Sequence, residues 1–215
     1  MSDIMKLKEA TGAGVLDCKK ALDETKGDYE KAVALLREKG KAKALKKGSS
    51  DRIACEGMVG SYIHLGGKIG VLVEINCETD FAQKSEHFNQ LVKDVAMHIA
   101  AANPKYVTAD EVPASVLEKE KEILKKQAME EGKPAAIAEK MVEGRVKKYY
   151  QDYCLMDQPF VKDGSKTIKD IVNETIAFVG EKITIRRFVR YEMGEGIEKP
   201  KEDFAAEVSK TIAAQ

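Results

Sequence analysis

The chain has 215 residues, enough for one core of ordinary size or for a small domain beside a medium one. Its 36 basic and 36 acidic residues cancel, aromatics are 6% and Trp is absent, which argues against nucleic-acid binding by phosphate neutralisation or base stacking. No apolar run approaches the roughly 20 residues that span a bilayer, and the opening MSDIMKLKEA is neither a signal core nor an Arg-rich transit composition, so a cytoplasmic protein is expected.

Residues 1–40 predict three short helices. Ile4, Leu7 and Thr11 share one face, Val15, Cys18 and Leu22 another, and Tyr29, Ala32, Val33 and Leu36 form an i, i+3, i+4, i+7 stripe. Gly12 and Gly14 bracket the first turn; Gly27 ends the second helix and Asp28 caps the third. A bundle of this size is marginal alone and suits a docking module; it resembles the ubiquitin-associated type. Residues 41–52, KAKALKKGSSDR, are basic and then Gly/Ser-rich, the composition of a solvated linker.

A hairpin follows, with β-prone runs over 58–65 and 68–76 joined at Gly66 and Gly67, a dipeptide suited to positive φ. The second run is nearly continuous in apolar residues, as in a central strand. It ends in CETDFAQK over 77–84, which presents Asp80 and Phe81 just as a helix begins. A large apolar side chain at a strand end normally turns inward, so on the residues alone Phe81 reads as core. Ser85 caps a helix running to about Ala102, with an inward stripe of Phe88, Leu91, Val92, Val95 and Ile99.

Residues 108–150 are rich in Lys, Glu and Ala and carry two helical patterns broken at EGKP, 131–134. Leu117, Leu124 and Ala128 mark one seam and Ala138, Met141, Val142 and Tyr149 the other, with Gly132 ending the first helix and Pro134 opening the second. This predicts a projecting antiparallel helical hairpin. Gln158 to Val161 returns the chain to the core, 167–178 is amphipathic and helical, and 182–191 alternates as a third strand. The tail contains Pro200 and a short apolar face of Phe204, Val208 and Ile212, too small to stand alone.

The expected fold class is α+β: a three-helix bundle like the ubiquitin-associated type (1–40), a basic linker (41–52), a core of a three-stranded antiparallel sheet packed with helices (53–107 and 151–194), a helical hairpin insertion (108–150) and a C-terminal helical module (195–215). No catalytic arrangement emerges. Gly12-Ala13-Gly14 lacks the Lys and Ser/Thr of a phosphate loop, Cys18, Cys55, Cys77 and Cys154 form no CxxC pair, and His64, His87 and His98 complete no ligand spacing. His64 on a strand end reads as a structural histidine or a partner contact. No metal or cofactor is expected, and the residues describe a non-catalytic interaction protein.

TGAGVLDCKKAL over 11–22, TDF at 79–81 and MVEGR at 141–145, in this order, resemble the elongation factor Ts family over nearly the whole chain. The resemblance implies a nucleotide-exchange partner of the translational GTPase elongation factor Tu. In that family TDF reaches toward the GTPase's magnesium, its phenylalanine wedging between two helices. This implies partner-contact roles for Thr79, Asp80, Phe81 and Ala82, and N-terminal docking by Thr11, Gly12, Gly14, Val15, Leu16 and Lys19. Family members usually carry two methionines where this chain has Val15 and Leu16, and often valine where it has Ala82. His64 in GSYIH matches a family histidine that touches a distal domain of the GTPase. One copy of the core half, where longer members have two, implies a homodimer in a two-plus-two complex with the GTPase. The competing readings are a peptide-binding adaptor of the ubiquitin-associated kind and a structural oligomer built on the helical hairpin.

Overall fold

The computed structural model describes residues 3–48, 51–130 and 135–198. Helices cover one face of a three-stranded antiparallel sheet, and the chain also forms a separate two-stranded ribbon. Helices α1 (Asp3–Thr11), α2 (Val15–Glu24) and α3 (Tyr29–Gly48) close on a small core of Leu7, Cys18, Ala21, Ala32 and Leu36. The buried arc of α2 centres on Cys18 and Ala21, which leaves Val15 about a quarter turn away. Val15, which the spacing puts on one face with Cys18 and Leu22, is exposed.

The linker expected over 41–52 is largely helix, because α3 runs on to Gly48. Ala44 is buried in the main core, and a Cβ on Gly40 would sit 3.5 Å from Ala177, an ordinary packing distance. Lysines around this buried edge reach outward, with Lys43 paired to Asp17 at 2.8 Å. A Lys-rich segment with alanine on one face is a good helix former whose charge stays in water. Ser49 and Ser50 of the expected linker lie outside the described residues.

The sheet order is β1 (Glu56–His64), β2 (Ile69–Cys77), β5 (Ile183–Glu192). The turn is longer than a two-residue one: Leu65, Gly66 and Gly67 all have positive φ. Central β2 alternates strictly, burying Val71, Val73, Ile75 and Cys77 while Leu72 faces out. Helix α5 (Glu86–Ala102), capped by Ser85, covers the inner face with Phe88, Leu91, Val92, Val95 and Ile99, all buried as the stripe predicts. Helix α8 (Ile168–Val179) completes the layer through Ile168, Val172 and Ile176, held at its start by a reciprocal Thr167–Asp170 capping box.

Helices α6 (Ala114–Glu130) and α7 (Ala135–Tyr153) pair as the expected hairpin. The turn at Gly132 and Pro134 lies outside the described residues, as do the side chains of Leu124, Ala128, Ala138 and Met141 and the tail residues Phe204, Val208 and Ile212. The base of the hairpin is closed by Lys105 and Tyr106 N–H groups donating to the Tyr153 carbonyl at 2.9 and 3.1 Å. Strands β3 (Pro159–Phe160) and β4 (Asp163–Thr167) form a small ribbon that periodicity did not reveal.

A buried polar chain joins these parts. His98, fully buried, meets the Gln158 side-chain oxygen at 3.0 Å through Nε2, and the Val161 N–H donates to its Nδ1 at 3.3 Å. Gln158 in turn donates to the Asp152 carbonyl at 2.8 Å. These partners assign a neutral ring protonated on Nε2.

Candidate functional site

Strand β2 stops at Cys77, and Thr79 caps the single turn α4 (Asp80–Gln83) by accepting the Ala82 N–H at 3.4 Å. Consecutive helical residues point about 100° apart. Ala82 is 3% exposed and packs in the main core, so its neighbour Phe81 is turned out and stands 79% exposed. Core packing thus forces outward the side chain that the residues alone would place inside. Ala82 itself faces the core, where the resemblance implied a partner contact.

Asp80 pairs with Lys84 at 2.8 Å, and this hydrogen bond and charge hold its carboxyl below the usual range. The same ammonium lies 5.7 Å from the centre of the Phe81 ring. Behind the motif, the Thr79 N–H and hydroxyl both donate to the Glu181 carboxylate, at 3.0 and 2.7 Å. Glu78 accepts the Lys182 N–H at 2.8 Å and an Arg52 N–H at 2.9 Å, which lower its pKa in that order.

The N-terminal candidates divide in two. The Thr11 hydroxyl donates to the Leu7 carbonyl at 2.6 Å and accepts the Ala13 N–H at 3.4 Å, so it is used within its own turn. Gly12, at φ +67, lies against the Phe178 ring, which also stacks on His87 with centroids 4.4 Å apart. Gly14, Val15, Leu16 and Lys19 are exposed, Leu16 at 73%. Thr11 and Gly12 therefore shape the turn that presents Val15 and Leu16.

His64 stands at the other end of the sheet, beside the β1–β2 turn, with Nδ1 3.0 Å from the Tyr62 hydroxyl. Eight strand steps separate its β2 partner Ile69 from Cys77, about 26 Å at the usual rise. It belongs to a separate patch from Phe81.

The outer sheet face carries Val59, Ile63, Leu72, Val189 and Tyr191, all exposed. A register shift beside Glu74 lets two consecutive residues, Arg186 and Arg187, reach one carboxylate at 2.8 and 2.7 Å. Their hydrogen bonds lower Glu74 to about 2. Among the described residues no helix is long and apolar enough to cross a membrane, and no three His, Cys, Asp or Glu side chains gather as a metal site.

The surface can insert an apolar ring, present a carboxylate beside it, and grip a partner through a second apolar patch. Glu181 was not found in the sequence because it lies 102 residues from Thr79 and sits in an ordinary helix-to-strand turn. Lys84 had a readable signal, the i, i+4 spacing from Asp80 within a helix.

Residues 4–196 match the family model described as Elongation factor TS. Curated relatives of that name include the Elongation factor Ts of Desulforamulus reducens, 61% identical over 99% of this chain and 97% of the relative. Those of Acetivibrio thermocellus and Geobacter metallireducens are 60% and 59% identical, each over 97% of this chain and 96% and 95% of their own lengths.

Proposed function

The chain belongs to the elongation factor Ts family, and from that premise we propose that it exchanges guanine nucleotide on elongation factor Tu by driving Phe81 into the GTPase beside its magnesium and phosphate site. The observation that carries this reading is the 79% exposure of Phe81 on a turn anchored by buried Ala82. Burying such a ring in a partner groove is worth about 2 kcal/mol, more than a tenfold shift in an equilibrium. Asp80 follows the ring and holds the displaced arrangement. It exchanges Lys84 for a partner group on docking. Thr79 and Ala82 supply the cap and the anchor.

The three N-terminal helices serve as the docking module, in the manner of ubiquitin-associated bundles. Val15, Leu16 and Lys19 make the contact, with Gly14, Gly12 and Thr11 setting its shape. His64 meets a distal domain of the GTPase. The apolar outer sheet face pairs with a second copy, giving a two-plus-two complex. The chain needs no nucleotide, metal or cofactor of its own. It favours nucleotide-free elongation factor Tu by binding that state more tightly, and by linkage GDP or GTP expels it reciprocally. The reaction makes no covalent change, and it takes place in the cytoplasm.

The test is release of a fluorescent GDP from elongation factor Tu with this protein in substoichiometric amount. Many-fold acceleration with turnover is expected, lost in Phe81→Ala while the fold and docking persist. Binding without acceleration would leave a docking adaptor and refute exchange.

A further inference from the structure

The two turns that meet behind the exchange motif hold each other through crossed carboxylate contacts. Glu78, next to Thr79, accepts the backbone N–H of Lys182 at 2.8 Å; Glu181, next to Lys182, accepts the backbone N–H of Thr79 at 3.0 Å. Glu181 also takes the Thr79 hydroxyl proton at 2.7 Å. That hydroxyl is then oriented with its lone pair toward the Ala82 N–H at 3.4 Å, the cap contact of α4. A single helical turn has no stability of its own. Its start must be fixed from outside, and the acceptor-only carboxylate of Glu181 suits two donors on one residue.

We infer that Glu181 is a positioning residue for nucleotide exchange: through Thr79 it fixes the turn that aims Phe81 at the GTPase. This rests on the proposed wedge role of Phe81. Glu181 is half-buried behind the motif and its carboxylate is engaged by Thr79, so it acts through Phe81 rather than on the nucleotide. A glutamine in its place turns an amide NH₂ toward one of the two Thr79 donors, leaving a single good contact.

The experiment measures GDP release from elongation factor Tu across a range of concentrations of the full chain, for Glu181→Gln, Phe81→Ala and the double variant. Glu181→Gln is expected to lower the saturating release rate about tenfold, the scale on which small misplacements act, with the half-saturating concentration little changed. In the Phe81→Ala background the same change has no further effect. Thr79→Val, which removes the hydroxyl donor to Glu181, lowers the saturating rate as Glu181→Gln does, and carries the test should Glu181→Gln fold poorly. A Glu181→Gln rate equal to wild type, or losses that multiply in the double variant, overturns the inference while leaving the wedge standing. A Phe81→Ala chain as fast as wild type overturns the wedge and this inference with it.

Discussion

The ring of Phe178 fills the space that a side chain on Gly12 would need. An ideal Cβ there falls within the ring's van der Waals envelope, and the ring is backed by His87. This contact ties the turn between α1 and α2 to the end of α8. Gly12 also has φ +67, where other residues are strained.

Gly12→Ala is therefore expected to destabilise the protein by about 2 kcal/mol, part from the backbone and part from overpacking. Urea unfolding measures the loss. Adding Phe178→Leu should recover the overpacking part only. A Gly12→Ala chain as stable as wild type would mean that the ring moves aside freely.

Leu16 offers the cleanest docking test. At 73% exposure its removal should leave stability within about 0.5 kcal/mol. Leu16→Ala should nonetheless weaken binding to nucleotide-free elongation factor Tu by about tenfold, read by titration calorimetry. An unchanged affinity would move docking away from this turn.

His98 gives a pH prediction. Burial holds its pKa below 6.5, so the unfolded chain takes up the proton first as pH falls. The associated stability is complete above that value and is lost on acidification toward the folded-state pKa. His98→Leu should melt lower at about pH 7.5, since the Val161 N–H loses its acceptor, yet fall less steeply between there and about pH 5.5. Parallel melting curves for the two proteins would assign the acid limb to other groups.

Pairing through the outer sheet face predicts that Val59→Lys separates the copies. Sedimentation equilibrium should give two chains for the wild type and one for the variant, with far-UV spectra alike. A wild type that sediments as one chain at micromolar concentration contradicts the pairing.

The sheet, α5 and α8 were legible because each buries one face against one layer, and the 2.0 and 3.6 periods survive in Val71, Val73 and Ile75 and in Phe88, Leu91, Val92 and Val95. The end of α3 was not, because Gly40 reads as a stop and Ala44 is the one buried residue among described lysine-rich neighbours. The β3–β4 ribbon escaped because DGSKT has no apolar alternation. At the site, Phe81 alone argued for burial. Only Ala82, small and next in line, reveals which of the two faces the core. Glu181 had no local signal, since the contact depends on how α8 leads into β5.

The unbroken run of α3 into the main core bears on how the two proposed contact patches would work together. Were 41–48 a slack tether, each patch would search for its target separately. A continuous helix whose Ala44 is seated in the core makes Leu16 and Phe81 two prongs of one stiff fork. Under the proposed docking, seating one prong would present the other to its groove at a fixed, high effective concentration, with no tether entropy to overcome. Inserting a flexible glycine stretch after Gly48 would leave that geometry alone, whereas breaking the helix at Ala44 would turn the fork into two weak binders on a string.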